Sequence, residues 1–545
     1  MKLPRAPLWV DWAILVPLLG LYLWIGTRQI DRPALNWDEG DTAAYGMELA
    51  LDLPRTETDW SVRLAGRSWP LRVSHPYDFK ALPIYWSALA FKTAGVGVSV
   101  LRLSSLAVGA ILLAVFYAVC RLWFGSGTAF MASLLLAVNP AFALMSRLGY
   151  YALEIPLALP ALAALTFLSL WHRRRRVWAL CAGAFCWGLS TCVTTQAVAF
   201  ILAYPILYFA LVPRKDRPSP RLIAAAAAFA ALGAADFILY NAARGMPIIS
   251  RLLDALAAPT GVGVDNAAIA RNLALRGRQL LGLLDGRLAA GFVGGDGVRD
   301  AVLPIFFAAG FAAMVWRCAS RRRFPGRGFI LLVLGLILLL FLETAFTPMG
   351  LDPHHLLVLL PYVFLPVAAA LDWLRTEVER HLPGKGALAA AALLALPVAS
   401  ALRADASYLN ELRKSGGTGR MSGAIEDLAA DLDRRGIRRP FCLSYGISRN
   451  TYLLTQGRVE PLGAHAFRRG VSAELLGRYE NLAALPEARF IAAAGNDPPG
   501  SQEYLDAFRG VVERSGRRLV AEREYRDGLG RAVFVLWRVD RGSRP

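Results

Sequence analysis

Apolar stretches of membrane length alternate with short polar connections from residue 6 to about residue 403. They predict helices near 6–26, 100–122, 126–145, 151–171, 177–194, 196–212, 221–241, 302–317, 328–346, 355–373 and 386–403. A bilayer core takes roughly 20 helical residues to cross, so the pattern predicts a polytopic α-helical membrane protein with about 11 transmembrane helices. Met1-Lys-Leu-Pro-Arg5 precedes the first run without a prompt small-residue cleavage site, and it is read as the start of a membrane helix rather than a cleaved signal. Past residue 404 the pattern changes. Met421–Arg435 repeats with a helical period and stops at Gly436, and Glu503–Ser515 also reads as a helix. Pro440–Tyr445 and Arg489–Ala494 read as short buried strands, and Arg518–Tyr525 with Arg531–Val539 as a strand pair. The expected division is a membrane part, 1–403, with outer loops at about 30–100 and 242–301, and a soluble α/β domain, 404–545.

Composition agrees with this picture: 56% hydrophobic and 19% charged residues exclude an ordinary soluble globule. The formal charge of +19 would point to nucleic acid in a soluble chain. Position along the chain changes that meaning. Basic residues crowd the N-terminus and alternate connections, at Arg121, Arg173–Arg176, Arg214–Arg221, Arg317–Arg327 and Arg375–Lys385, whereas Ser146–Tyr150, Thr194–Gln196 and Thr347–His355 hold one Arg and no Lys. Lys and Arg are retained on the cytoplasmic side, so the N-terminus is expected inside and the C-terminal domain outside, with no nucleic-acid partner. Only six of the 60 basic residues are lysine, which suggests a GC-rich bacterial genome and hence a bacterial inner-membrane location. The six cysteines are scattered, lack CxxC spacing and do not form a disulfide scaffold.

The outer face collects the ionisable residues. Asn36-Trp-Asp38-Glu39 lies just past the first helix, where the adjacent acids could serve as general base, as metal ligands, or as the cap of an interfacial helix starting near Thr42. Leu82–Thr93 is apolar but short, and reads as a second interfacial helix. Lys80 and Tyr85 flank its start. Arg147 and Glu154 are seven residues apart, and so on one helical face. Asp236, Glu343 and Asp352-Pro-His354-His355 complete the set. Ionisable groups at membrane depth are costly and by default mark a functional cavity. The two histidines would diverge by about 100° on an α-helix, so both reach one ion only where that helix has not yet begun.

In order, these elements resemble the GT-C glycosyltransferase superfamily, in the branch similar to lipid A aminoarabinose transferase and protein O-mannosyltransferases. Asp38-Glu39 matches its first-loop acid pair, Lys80-Ala-Leu-Pro-Ile-Tyr85-Trp86 its Lys-Pro-Pro segment, and Arg102-Leu-Ser-Ser105 its Arg-Leu-Pro-Ser start. Asn139-Pro140, Arg147…Glu154 and Pro353-His354-His355…Pro361 match its later motifs, over residues 1–375 in all. The chain departs from the pattern in keeping only Pro83, in Thr194-Thr195-Gln196 where relatives show Thr-Lys-Gly, and in a His pair replacing Arg-Tyr. The resemblance implies inverting transfer of a sugar from a polyprenyl-phosphate donor to an acceptor hydroxyl or phosphate on a glycolipid, envelope glycan or protein. It casts Asp38 as base, with Glu39 orienting it or the acceptor. It places Lys80, Arg147 and one or both of His354 and His355 at donor phosphate, Tyr85 among the substrate contacts, and Glu154 either holding Arg147 or contacting the sugar. A divalent cation, Mg or Mn, is left open, with Asp38, Glu39 and His354 as candidate ligands. The rivals are a polytopic transporter or lipid-glycan flippase, which would commonly show repeats and broken helices at the bilayer midplane, and a non-catalytic transferase-like scaffold.

Overall fold

The computed structural model describes residues 8–53, 60–64, 66–71, 80–250, 253, 260–261, 264–293, 299–320, 324–346, 351–465, 471–485, 487–495 and 500–541. Tyr77-Asp78-Phe79, part of the expected loop motif, lies outside them. The apolar segments fold as helices: α1 (Leu8–Thr27), α4 (Val98–Phe124), α5 (Ser126–Ala137), α6 (Pro140–Arg147), α7 (Glu154–Arg174), α8 (Val177–Leu189), α9 (Ala197–Leu211), α10 (Pro220–Gly233), α11 (Ala235–Ala243), α13 (Leu303–Ala319), α14 (Arg327–Glu343), α15 (Leu360–His381) and α16 (Gly386–Ser415). In the long connections expected as outer loops stand α2 (Trp37–Ala50), α3 (Ala81–Ala94) and α12 (Ile269–Leu284). Two antiparallel hairpins lie there as well, β1 (Trp60–Leu64) with β2 (Arg67–Leu71), and β3 (Thr260–Gly261) with β4 (Val264–Asp265).

Five helices among the described residues are long and apolar enough to cross a bilayer, or up to seven when two bent pairs are each taken as one span. The runs expected as single spans over 126–145 and 221–241 are those pairs: α5 and α6 meet at 65°, α10 and α11 at 69°. The first break has a local cause. Asn139 caps α6 by accepting from the Phe142 N–H at 2.9 Å, and Pro140 occupies the first helical position, where its missing N–H costs nothing. Exposed Trp9, Trp12 and Trp24 on α1, with Leu388 and Leu396 on α16, give these helices an apolar outer surface of the kind lipid covers. The chain is a multi-pass membrane protein. Its core runs through α4, α5, α7, α14 and α15, around Leu112, Phe116, Leu135, Leu162, Leu336 and Phe364.

After α16 comes a five-stranded mixed sheet of order β6-β5-β7-β9-β8, made of β5 (Phe441–Cys442), β6 (Leu462–Gly463), β7 (Arg489–Ala493), β8 (Arg517–Arg526) and β9 (Ala532–Arg541). The expected strand pair at the C-terminus is the antiparallel β8–β9 ribbon. Strand β7 alternates sides: Ile491 packs with Leu428 and Phe534 under α17 (Ala424–Arg434), and Phe490 with Tyr479 and Phe508 under α19 (Ala473–Ala484) and α20 (Ser501–Arg514). Two of the four helices here, α19 and α18 (Ile447–Leu454), were not foreseen, and α18 packs on α2. The approach is close enough that only glycine fits at residue 40, because a Cβ there would sit 1.7 Å from the Asn450 Oδ1.

Gly40→Ala should therefore force α2 and α18 apart and cost about 1–3 kcal/mol as an overpacked contact. Combining it with Asn450→Ala should recover part of that loss, and thermal unfolding of the single and double variants checks the coupling. In the sheet domain, half-buried His465 lies with Nδ1 3.3 Å from the Cys442 carbonyl oxygen, and desolvation holds its imidazole pKa below the ordinary 6.5. A folded-state pKa below the unfolded one means that the unfolded chain binds the extra proton first. This contribution to stability is present above pH 6.5 and is lost as pH falls below it. Melting curves at neutral and acidic pH should show a steeper loss for the wild type than for His465→Gln.

Candidate active site

Beyond α1 the chain must turn through residues 28–36 with few hydrogen bonds of its own, and side chains from distant helices supply them. Arg102 on α4 is fully buried. Its Nη1 donates to the carbonyls of Ile30 at 2.9 Å and Pro33 at 2.6 Å, and its Nη2 to that of Ala34 at 3.3 Å. Through Nε and Nη2 it also grips both carboxylate oxygens of Glu39, each at 2.9 Å. Arg147, at the end of α6, donates through Nη2 to the carbonyl of Arg32 at 2.8 Å and to that of Gln29. Asn450 on α18 donates to the Leu35 carbonyl at 3.0 Å.

These clamps fix where α2 begins. Asn36 is its N-cap: the side chain accepts from the Asp38 N–H at 3.1 Å, while the Glu39 carboxylate accepts from the Asn36 N–H at 2.8 Å, a reciprocal capping box. The helix thus starts at Trp37 rather than near Thr42, and the cap is an asparagine ahead of the acid pair. The two acids part company. Glu39 is fully buried, with both oxygens engaged, whereas Asp38 is half-buried at the edge of the first turn.

A second cluster faces it. Glu154 opens α7, and its Oε1 lies 2.8 Å from Nδ1 of His355. Its Oε2 is buried without a hydrogen-bond partner among the described residues. The rings of His354 and His355 are 4.3 Å apart between centroids, and the Tyr151 hydroxyl lies 3.4 Å from His354 Nδ1. Both histidines precede α15 but lie on the 3₁₀ segment Pro353–Leu359, where successive residues diverge by about 120°, so it is the approach of their rings and not an unwound backbone that brings the pair together. Arg276 on α12 donates to the carbonyls of Thr344 and Asp352, each at 2.8 Å; Gln279 donates to Leu351 at 2.6 Å, and Gln196 to His355 at 3.1 Å. Tyr151 joins the halves, within electrostatic reach of Asp38, Glu154, Asp352 and Arg420.

The remaining expected residues divide. Lys80 is buried, with Nζ 3.3 Å from the Asp41 Oδ2, and Asp41 follows Asp38 by three residues on the same face of α2. Arg147 instead has Arg102, Glu39 and Asp31 as charged neighbours and works as a loop clamp. Tyr85 on α3 has Asp236 and Cys192 near its phenol, apart from the Glu154 group, and burial with the Asp236 charge raises its pKa. Arg102, Arg276 and Arg420 were not foreseen as site residues. The signals for Arg102 were a cation inside an apolar helical run and its place at the head of the Arg102-Leu-Ser-Ser105 motif, but nothing local reveals a partner 63 residues away. Arg420 stacks over Trp37 at 4.7 Å and carries the C-terminal part to the site's edge. For a divalent cation Glu39 fits poorly, both its oxygens being taken. Glu154, His354 and His355 fit better, with ligand atoms within 4.8 Å of one another.

Residues 75–240 match the family model described as dolichyl-phosphate-mannose-protein mannosyltransferase. No curated protein matches the sequence. Among solved structures the chain is similar to ArnT from Cupriavidus metallidurans bound to undecaprenyl phosphate, with TM-score 0.62 and 13% identity over 98% of each chain. It is also similar to the archaeal oligosaccharyltransferase AglB from Archaeoglobus fulgidus in complex with an inhibitory peptide and a dolichol-phosphate, with TM-score 0.54 and 14% identity over 98% of this chain and 74% of that one. Arabinofuranosyltransferase AftD from Mycobacteria gives TM-score 0.54 and 16% identity over 100% of this chain and 42% of that one. At such identities the likeness is one of fold, and it extends over nearly the whole chain.

Proposed function

We propose that the chain is an inverting GT-C glycosyltransferase that moves a sugar from a polyprenyl-phosphate donor to an acceptor on a glycolipid, envelope glycan or protein, at the outer face of a bacterial inner membrane. The observation that carries this reading is the placement of Asp38. A half-buried carboxylate stands on a helix start clamped by Arg102, Arg147 and Asn450, facing the Tyr151, Glu154 and His354 cluster at the ends of membrane helices. The undecaprenyl phosphate and dolichol-phosphate named for ArnT and AglB supply the donor class. Counting each bent pair as one span, and α8, α9, α13 and α14 as further crossings, gives eleven, a number with which the basic connections support an N-terminus in the cytoplasm and a sheet domain outside. A domain boundary near residue 404 falls within α16, which continues unbroken to Ser415.

The chemistry follows from the placement. An acceptor hydroxyl loses its proton to the Asp38 carboxylate as its oxygen attacks the anomeric carbon on the face opposite the phosphate. The bond from that carbon to the phosphate oxygen breaks, the electron pair leaves with the polyprenyl phosphate, and configuration inverts. Lys80, held beside Asp41, supplies a point charge for the departing phosphate, and His354 and His355 are further candidates to meet it. Glu154 orients His355, while Glu39 and Arg147 are positioning residues that keep the base in place.

Asp38→Asn should lower transfer from a polyprenyl-phosphate sugar in proteoliposomes by about 10²–10⁴-fold, the range of a lost general base, with an unchanged melting temperature. Wild-type turnover in that variant would remove Asp38 as the base. Glu39→Gln should behave differently, destabilising the fold by about 3–5 kcal/mol because Arg102 is left as a buried unpaired charge. Lys80→Ala should chiefly raise the donor KM, and an unchanged KM would take Lys80 away from the phosphate.

A further inference from the structure

We propose that Glu154, His354 and His355 form a binding site for one zinc-class divalent ion. Its use in catalysis rests on the transferase reading above; its existence does not. Three observations carry it. The ligand-capable atoms of the three side chains lie within 4.8 Å of one another, in the one such cluster of His, Cys, Asp and Glu among the described residues. Glu154 is 3% exposed, and its Oε2 is buried without a partner, a costly state that a cation relieves. The cluster is also braced from behind, since Gln196 and Arg276 hold the backbone of the histidine segment by its carbonyls.

The distances suit a small ion. Ligands around a tetrahedral zinc, at bonds of about 2.0–2.1 Å, stand about 3.3 Å apart. Glu154 Oε1 and His355 Nδ1, at 2.8 Å, have to open by a few tenths of an ångström, and the His354 nitrogen, within 4.8 Å of the other ligand atoms, has to draw closer. Tyr151 at His354 Nδ1 leaves the other ring nitrogen for the ion, in the way that ligating histidines commonly bond an oxygen through their second nitrogen. Two imidazoles with one carboxylate is the ligand set of catalytic zinc sites that keep a fourth position open. Imidazole ligands suit zinc, whereas an all-oxygen set would suit Mg or Mn. The open position is available to an oxygen of the donor's phosphate, on the side where Tyr151 meets Asp38 and Asp352.

The test uses the full chain in detergent, stripped with a chelator and titrated with zinc chloride, with bound metal measured by elemental mass spectrometry. The expected result is about one zinc per chain, and visible absorption of a low-coordinate site when cobalt replaces zinc. Glu154→Gln and His355→Asn should each weaken zinc binding by about 10-fold or more, and their melting temperatures before zinc is added show whether they fold. Asp38→Asn should bind zinc like the wild type. Zinc binding that fails to saturate in the folded wild type, or that is unchanged in a folded Glu154→Gln, His355→Asn double variant, overturns the site and leaves the assignment of Asp38 standing. Stoichiometric zinc together with full transfer by Asp38→Asn would uphold the site and overturn that assignment instead.

Discussion

The buried pairing of Arg102 with Glu39 is the constraint on which the start of α2, and with it the candidate site, depends. Both side chains are fully shielded from solvent, a condition under which desolvation consumes most of the Coulombic gain unless geometry and further hydrogen bonds restore it. Here the guanidinium makes a two-point contact with the carboxylate and also serves three backbone carbonyls. What such a pair contributes is a single allowed position for the loop rather than a large net stability, since any displacement strands a charge in a medium of low dielectric. Glu39 also closes the capping box, so one carboxylate ties the membrane helix α4 to the start of α2, and Asp38 inherits its position from its neighbour.

The sheet domain takes part in the same arrangement. Asn450 bonds the Leu35 carbonyl, Ala34 donates its N–H to the carbonyl of Met421 at 2.8 Å, and Arg449 reaches the Tyr45 hydroxyl at 2.9 Å and Glu48 at 3.6 Å. Gly446 shows how tight the fit is. Its φ of 85° lies in the region that favours glycine, and a Cβ there would come within 2.0 Å of the Trp37 ring. With α16 running unbroken from the membrane part to Ser415, the C-terminal part acts as a wall of the site as well as a module beside it.

Most of the fold was legible because burial in lipid and in a sheet both write periodic apolar patterns. The apolar helices, α3 among them, and the β8–β9 ribbon fall where the pattern placed them. The breaks at Asn139-Pro140 and Ala234 were not, because an apolar run of sufficient length looks the same whether it is straight or bent by 65°. At the site, the residue types and their convergence on one face were readable, but their commitments were not. Glu39 and Asp38 are indistinguishable as neighbours in sequence, and only the approach of Arg102 from another helix makes one a structural anchor and leaves the other at the edge. The helix α18 was hidden for a similar reason: eight residues are too few for periodicity to stand out, and its role comes from what it packs against.

Arginines therefore do two different jobs in this chain. The basic connections fit a record of orientation, while Arg102, Arg147 and Arg276 are buried and spend their donors on backbone carbonyls of loops at the membrane surface. A membrane offers little hydrophobic force to press such loops onto helices, because lipid is as apolar as the helix surface. Unpaired carbonyls there are costly, so hydrogen bonds from long side chains are an economical means of both satisfying and locating them. Each half of the site has its own set, Arg102, Arg147 and Asn450 behind Asp38, and Arg276, Gln279 and Gln196 behind the histidines. The two halves meet at Tyr151, so the gap that a donor must enter lies between two separately braced walls, and the groups left facing it are those whose bonding capacity the braces do not use up.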